Sequence, residues 1–290
     1  MTLIILSILL SSLLVICFKV FEKFQVNNSN AISFNYISAS ACGFIFGYSE
    51  IIKVNVLHSD WLPYTILFGF FFISVFNLIG IGVKKSGLIP VAISQKMSLI
   101  IPLAFSIYYY QEAWGLLKLT GIAMALIAIY LSSYKEANHN QTTPAPRTSY
   151  LFPILIFIGS GIVDVCIKIT QEHLSLNIDF SVLLTFIFGS AGIIGLIKSF
   201  VNKVKFQSKD FIAGLILGLF NFSSTYVLMK ALAQDQFESS FIFSVNNIGI
   251  ILFNTAVAAI VFKEKLNRLN AFGILISILA ILIIYSSNGN

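Results

Sequence analysis

The sequence predicts an all-α integral membrane protein with ten transmembrane helices in two inverted five-helix repeats. Three observations carry that prediction. Of the residues, 57% are apolar and 10% charged, whereas a soluble domain carries about 25% charge. That balance excludes a pair of soluble domains. Apolar runs recur along the chain, each close to the roughly 20 residues that a helix needs to cross a bilayer. Finally, the stretch from Leu88 to Ser133 occurs again from Ser240 to Tyr285. At constant offset Glu112 falls on Glu264, Leu117 on Leu269, Gly121 on Gly273 and Ile122 on Ile274. Ala128 and Ile129 fall on Ala280 and Ile281. A repeat at half the chain length governs every later reading. Each half holds five spans, and an odd number reverses direction, so the second half enters the bilayer upside down relative to the first.

The first half, residues 1–134, holds spans Thr2–Phe21, Ala31–Tyr48, Leu62–Val83, Leu88–Tyr110 and Gly115–Tyr134. The first of these lacks a basic leader and an A-x-A-like site, so it reads as a span and not as a cleaved signal peptide. Residues 135–149, with two prolines and several polar residues, form a linker too short to be a domain. The second half, residues 150–290, holds Tyr150–Thr170, Phe180–Phe200, Asp210–Ala231, Ser239–Phe262 and Leu269–Ser287. Cys17-Phe18-Lys19 in span 1 is echoed by Cys166-Ile167-Lys168 in span 6, and Lys84 and Lys230 close spans 3 and 8. The loops are short, so successive spans run antiparallel and no loop houses a catalytic domain. Trp61 and Trp114 stand at span ends, where aromatic anchors gather.

The net charge of +6 resides in short loops, and therefore speaks to topology and not to nucleic acid. Of the 18 Lys and Arg residues, Lys53, Lys118, Lys168 and Lys230 fall at even-numbered loops and Lys96 lies within a span. The other 13 fall at odd-numbered loops. By the positive-inside rule this bias puts the odd loops in the cytoplasm and both termini outside. Cys17, Cys42 and Cys166 all lie inside apolar runs and imply neither a disulfide framework nor a metal site. No cofactor is expected.

Polar residues within spans are the candidate chemistry. In span 9, Ser240, Ser244, Asn247 and Asn254 share one helical stripe, with Asn246 beside it. Such groups face a protein interior or a cavity; as a cavity wall they hydrogen-bond a solute, and as glue they pin packed helices together. Span 4 carries Ser94, Gln95, Lys96 and Ser98, followed by Pro102, which removes a backbone donor. Pro102 is a candidate hinge or a static kink. Spans 2, 3 and 8 carry Asn35 with Ser38, Ser74 with Asn77, and Asn221 with Ser224, each a cavity wall or a packing pair. Gly214 and Gly218 allow close helix packing.

Lys96 and Asp164 are the ionisable residues deepest in the spans, and a charge there is costly unless paired or wetted. Asp164 has three arrangements open to it: an ion pair with Lys168 one turn on, a reach across to Lys96, or neither, with Lys96 facing a wet cavity. Glu112 and Glu264 each precede a helix, where a carboxylate favours the positive end of the dipole, so their expected role is structural. His58, His139 and His173 lie in loops and form no ligand cluster.

Taken together, the inverted halves and the text Tyr110-Gln111-Glu112 before Gly121, and Phe262-Lys263-Glu264 before Gly273, resemble the drug/metabolite transporter superfamily, EamA type. The resemblance covers nearly the whole chain. It implies a secondary transporter with alternating access through a cavity between the repeats. Spans 5 and 10 would then be peripheral and both termini cytoplasmic, against the charge bias. The expected solute is a small metabolite, amino-acid-like or otherwise organic. Lys96 favours one with a carboxylate or other anionic group. A proton is the candidate coupling ion, the lipid bilayer the other partner, a homodimer the candidate assembly, and the cell membrane the expected location. The alternative is a non-transporting membrane scaffold or sensor. An enzyme is not expected, since there is no H-E-x-x-H, no histidine within a span and no paired aspartates.

Overall fold

The structure is a computed structural model and describes residues 1–56, 59–109, 115–133, 148–169, 178–203, 205–232, 239–264 and 266–288. Within them the chain is helical and has no strand. The helices are α1 (Thr2–Lys23), α2 (Asn28–Ile51), α3 (Leu62–Ser86), α4 (Leu88–Met97), α5 (Ile100–Tyr109) and α6 (Leu116–Ser133). They continue as α7 (Thr148–Ile169), α8 (Phe180–Val201), α9 (Ser208–Leu232), α10 (Ser239–Ile260) and α11 (Arg268–Asn288). Residues 135–147 of the expected linker, Glu112, Trp114 and the three histidines lie outside the described residues, and α7 takes up the linker's last two positions.

Five helices are long and apolar enough to cross a membrane: α1, α3, α8 and the stretches Tyr150–Ile167 of α7 and Ser208–Leu228 of α9. Shorter apolar helices cover Leu88–Pro102, Leu119–Leu131, Val245–Ile260 and Arg268–Ile283. The α2 helix is long, but Asn28, Ser29, Asn30, Ser33, Asn35, Ser38 and Ser40 make it the most polar of the long helices. Its polar side is turned inward: Asn30, Ser33, Asn35 and Ser38 are buried. The same inversion holds across the molecule, with Ser, Thr and Asn side chains buried and many Ile, Leu and Phe exposed, among them Ile45, Phe46, Ile193 and Phe272. An apolar exterior over a partly polar interior is what a lipid solvent selects, since water no longer rewards exposed polar groups.

The predicted spans match the helices to within a few residues, except where polar turns extend them. Asn27 caps α2 by accepting from the Ser29 and Asn30 amides, so the helix starts before the apolar run does. Span 4 is two helices. Pro102 has no amide to give to Ser98 O, and its ring crowds that carbonyl; Ile101 N takes it instead at 2.8 Å. The chain turns at Ser98 and Leu99 before α5 begins. Trp61 differs from the expected interfacial anchor. It is buried with Ile51, Val182 and Leu183 and tilts against the Phe186 ring.

Interhelical contacts fix the directions. Gly43 lies on Thr185, Gly47 on Ser181, Gly192 on Ile37 and Gly195 on Ser33, so α2 and α8 are antiparallel. A side chain at Gly47 or Gly195 would run into the facing serine, which is why these helices approach so closely. Gly214 meets Ala31 and Phe34, and Gly218 meets Ser38, so α2 and α9 are parallel. In the same way α3 and α8 are parallel, through Gly69 with Ser190 and Gly195 with Ile73. The α3 and α7 helices are antiparallel, through Gly82 with Ile156 and Gly159 with Val75. The α1 and α10 helices meet where Ile8 packs on Gly249, and Ile4 and Ile242 share one buried cluster with Ala231 of α9.

The α6 and α11 helices pack extensively on each other. Gly121, Ala125, Ala128 and Ile129 are buried on one, and Gly273, Ser277, Ala280 and Ile281 on the other, while Tyr130 and Leu282 face out. The repeated pairs Gly121 with Gly273 and Ala128 with Ala280 are thus part of a buried seam with several small side chains, which lets two backbones approach.

Candidate functional site

Part of the polar interior lies where α4 ends. Gln95 and Lys96 occupy its last turn and are half-buried, and Ser94 and Ser98 are fully buried. The chain break exposes the negative end of the α4 dipole, and a lysine in the last turn offsets it. The α7 helix packs alongside. There Ser98 Oγ donates toward Asp164 Oδ2 at 2.8 Å and lies 2.6 Å from Gln95 O. Asp164 and Lys96 interact electrostatically across the same gap, without forming a close ion pair. Of the arrangements open to Asp164, the structure therefore brings it to α4. The Lys168 side chain lies outside the described residues, so its pairing with Asp164 is not described.

The α10 helix packs against α4 and between α1 and α11. Asn246, Asn247 and Asn254 are buried on it, while the side chains of Ser240 and Ser244 lie outside the described ones. The offset that takes Glu112 to Glu264 takes Ser94 to Asn246 and Gln95 to Asn247. Across these two related helices several buried polar atoms have no hydrogen-bond partner in the protein: Ser94 Oγ, Gln95 Oε1, Asn246 Oδ1, and both polar atoms of Asn254. Each such atom costs about 1–3 kcal/mol if left unsatisfied. Others lie on α1, α2, α7 and α8, at Ser7, Ser12, Asn28, Asn30, Asn35, Ser160 and Ser199; those on α4 and α10 stand out because the two helices pack on each other beside the break.

The other predicted residues are engaged elsewhere. Asn221 Nδ2 donates to Asn35 Oδ1 at 3.3 Å across the α2–α9 interface, and Ser38 Oγ donates to Leu215 O there. Asn77 Nδ2 donates to Ile73 O and Ser74 Oγ to Phe70 O, each within α3. The Asn35–Asn221 pair and Asn77 are thus not part of the cluster at the α4 break.

Two carboxylates act at helix ends. Glu264 was expected to serve the helix that follows it. Instead its Oε1 accepts from Leu88 N at 3.2 Å, at the start of α4, and lies 3.4 Å from Lys19 Nζ. Gly87, at φ +99°, is the turn that aims the α4 amides at it, a conformation that favours glycine. Asp210, which sequence reading took only as the start of a span, is fully buried and accepts from Asn27 N and Asn30 Nδ2. An acid facing the polar run Asn27–Asn30 was the available signal, but only the fold brings the two together.

No protein-family model matches the chain. It is 26% identical over 285 residues to an uncharacterized protein of Haemophilus influenzae, covering 97% of this chain and 96% of that one. A solved structure described only as the crystal structure of a protein has the same fold. It superposes with a TM-score of 0.62 at 12% identity, over 98% of this chain and 95% of that one.

Proposed function

We propose that this protein is a secondary transporter of a small polar metabolite, built from ten spans in two inverted halves and working by alternating access between them. The observation that carries the reading is the set of buried, unpartnered polar atoms on α4 and α10, beside a helix break, inside an apolar exterior. Discontinuous helices at a repeat interface are the usual frame of transporter sites.

The packing supports the inverted halves. Taking α4–α5 as one span, every first-half helix whose register against the second half is given above runs as strict up-and-down alternation requires. Exchanging the halves also maps the contacts onto one another. The α2–α9 contact becomes α3–α8, α1–α9 becomes α3–α7, and α1–α10 becomes α4–α7. The contact of Gly47 with Ser181 becomes that of Gly195 with Ser33, both shifts being 148 positions.

In this reading Gln95, Ser98, Asn246 and Asn247 orient the solute by hydrogen bonds. Lys96 receives its carboxylate or other anionic group, with an amino-acid-like solute the leading class. Pro102 marks the hinge. We place the protein in the cell membrane with both termini in the cytoplasm, as the family resemblance implies. A reporter fused after Asn290 that reads as external gives the orientation to the Lys and Arg bias instead.

The function is tested in proteoliposomes preloaded with a metabolite panel, by counterflow of radiolabelled amino acids and small organic acids. Accumulation above empty liposomes is expected for at least one solute. Liposomes that behave like empty ones across the panel, while the protein remains monodisperse and folded, favour the scaffold or sensor.

A further inference from the structure

Ser98 has one hydroxyl proton and two acceptors at bonding distance, Gln95 O at 2.6 Å and Asp164 Oδ2 at 2.8 Å. A backbone carbonyl only accepts, and an ionised carboxylate only accepts. With Asp164 ionised, both compete for a single proton. With Asp164 protonated, its O–H donates to Ser98 Oγ and Ser98 donates to Gln95 O, so both contacts are complete. The two short distances thus describe a chain of hydrogen bonds that closes when one proton is added.

The location gives that proton leverage. Ser98 is the residue whose carbonyl Pro102 deprives of a helical partner, and the turn at Ser98 and Leu99 separates α4 from α5. Lys96 of α4 is the charged group that acts on Asp164 from a neighbouring element. Among the described residues, α3, α5 and α6 bring no charged side chain against it. On α7 itself Cys166 follows, and Lys168 lies one turn on. The other half has no counterpart. The repeat offset places Ile250 at the position of Ser98, and the match of Cys17 to Cys166 places Val15 at that of Asp164.

We propose that Asp164 and Ser98 form a proton-binding switch at the α4–α5 break, one proton per molecule. A proton taken from water onto Asp164 turns the Ser98 hydroxyl onto Gln95 O and closes the turn; its loss turns the hydroxyl to Asp164 and frees that carbonyl. Resting on the transporter reading, this makes the proton the coupling ion and Ser98 a positioning residue.

The test is infrared difference spectroscopy of the full chain in nanodiscs, titrated with pH and read at the protonated-carboxyl stretch. A titrating band is expected that disappears in Asp164→Asn, shifts in Ser98→Ala and returns in Ser98→Thr. Identical carboxyl spectra in wild type and in folded Asp164→Asn overturn the switch, as does a band indifferent to Ser98→Ala. Should Asp164→Asn fail to fold, the two Ser98 variants carry the test alone. A proteoliposome arm separates the two readings. Solute counterflow without the titrating band overturns the switch and leaves transport standing. The band, sensitive to Ser98, without counterflow supports the switch and removes transport.

Discussion

Span Leu88–Tyr109 is broken where its counterpart, Ser239–Ile260, runs through. The repeat offset sets Pro102 against Asn254, Ser98 against Ile250 and Lys96 against Ile248. The broken helix therefore carries the charge, and the continuous one carries only neutral amides and hydroxyls. The physical reason lies in the backbone. A continuous helix keeps its carbonyls for its own amides and offers a buried charge nothing. A broken one presents a helix end and a dipole that a lysine can offset. Between these two related helices, the break and the charged residue fall on the same one.

Moving the break tests this comparison most severely. Asn254→Pro is expected to cost about 3 kcal/mol or more, because it removes an amide from a helix with no turn to absorb the loss. Thermal unfolding in detergent should show a large drop, whereas Pro102→Ala, which returns a donor to Ser98 O, should keep the protein folded. Near-equal stabilities would mean that α10 already tolerates a break. Lys96→Met comes next. A charge-assisted bond is worth about 1.5–3 kcal/mol, so uptake of an anionic solute should fall at least tenfold with the melting temperature little changed. Unaltered kinetics across several solutes and pH values would remove Lys96 from the site.

Asn247→Leu sharpens the neutral side. A neutral hydrogen bond is worth about 0.5–1.5 kcal/mol, so affinity should weaken several-fold with expression intact. If this variant misfolds while the lipid-facing Leu252→Ala folds, Asn247 is packing glue. Glu264→Gln is the mildest. It leaves a hydrogen-bonding oxygen for Leu88 N and removes only a partly exposed pair with Lys19, for which at most about 1 kcal/mol is expected. A larger loss in a denaturation series would make this contact a principal tie between α1, α4 and the loop before α11.

The comparison also shows what a sequence can disclose. The helices were legible because lipid demands long apolar runs, and the repeat in α6 and α11 because close packing demands Gly and Ala at fixed spacing. The break was half legible: Pro102 announces a kink, but that the turn forms at Ser98 and Leu99 follows from which amide takes the orphaned carbonyl. Partners were not legible. Ser98 and Asp164 are 66 positions apart, and Asn35 and Asn221 are 186 apart; nothing local in either pair specifies the other. Asn77 reads as a cavity wall or a packing residue from its pairing with Ser74, and its amide donates to Ile73 O one turn back. Depth can be counted along a helix, whereas the facing group is set by how helices cross.

Whether water reaches the polar interior can be measured on α10 alone. In a background lacking Cys17, Cys42 and Cys166, single cysteines replace Asn247, which is 8% exposed, and Leu252, which is 47% exposed on the apolar surface. Intact membrane vesicles are then treated with a membrane-impermeant thiol reagent from each side. The account predicts labelling of Asn247→Cys from at least one side and none of Leu252→Cys, because the solute path is wet and the exposed surface is in lipid. Labelling of Leu252→Cys with Asn247→Cys silent from both sides would contradict it.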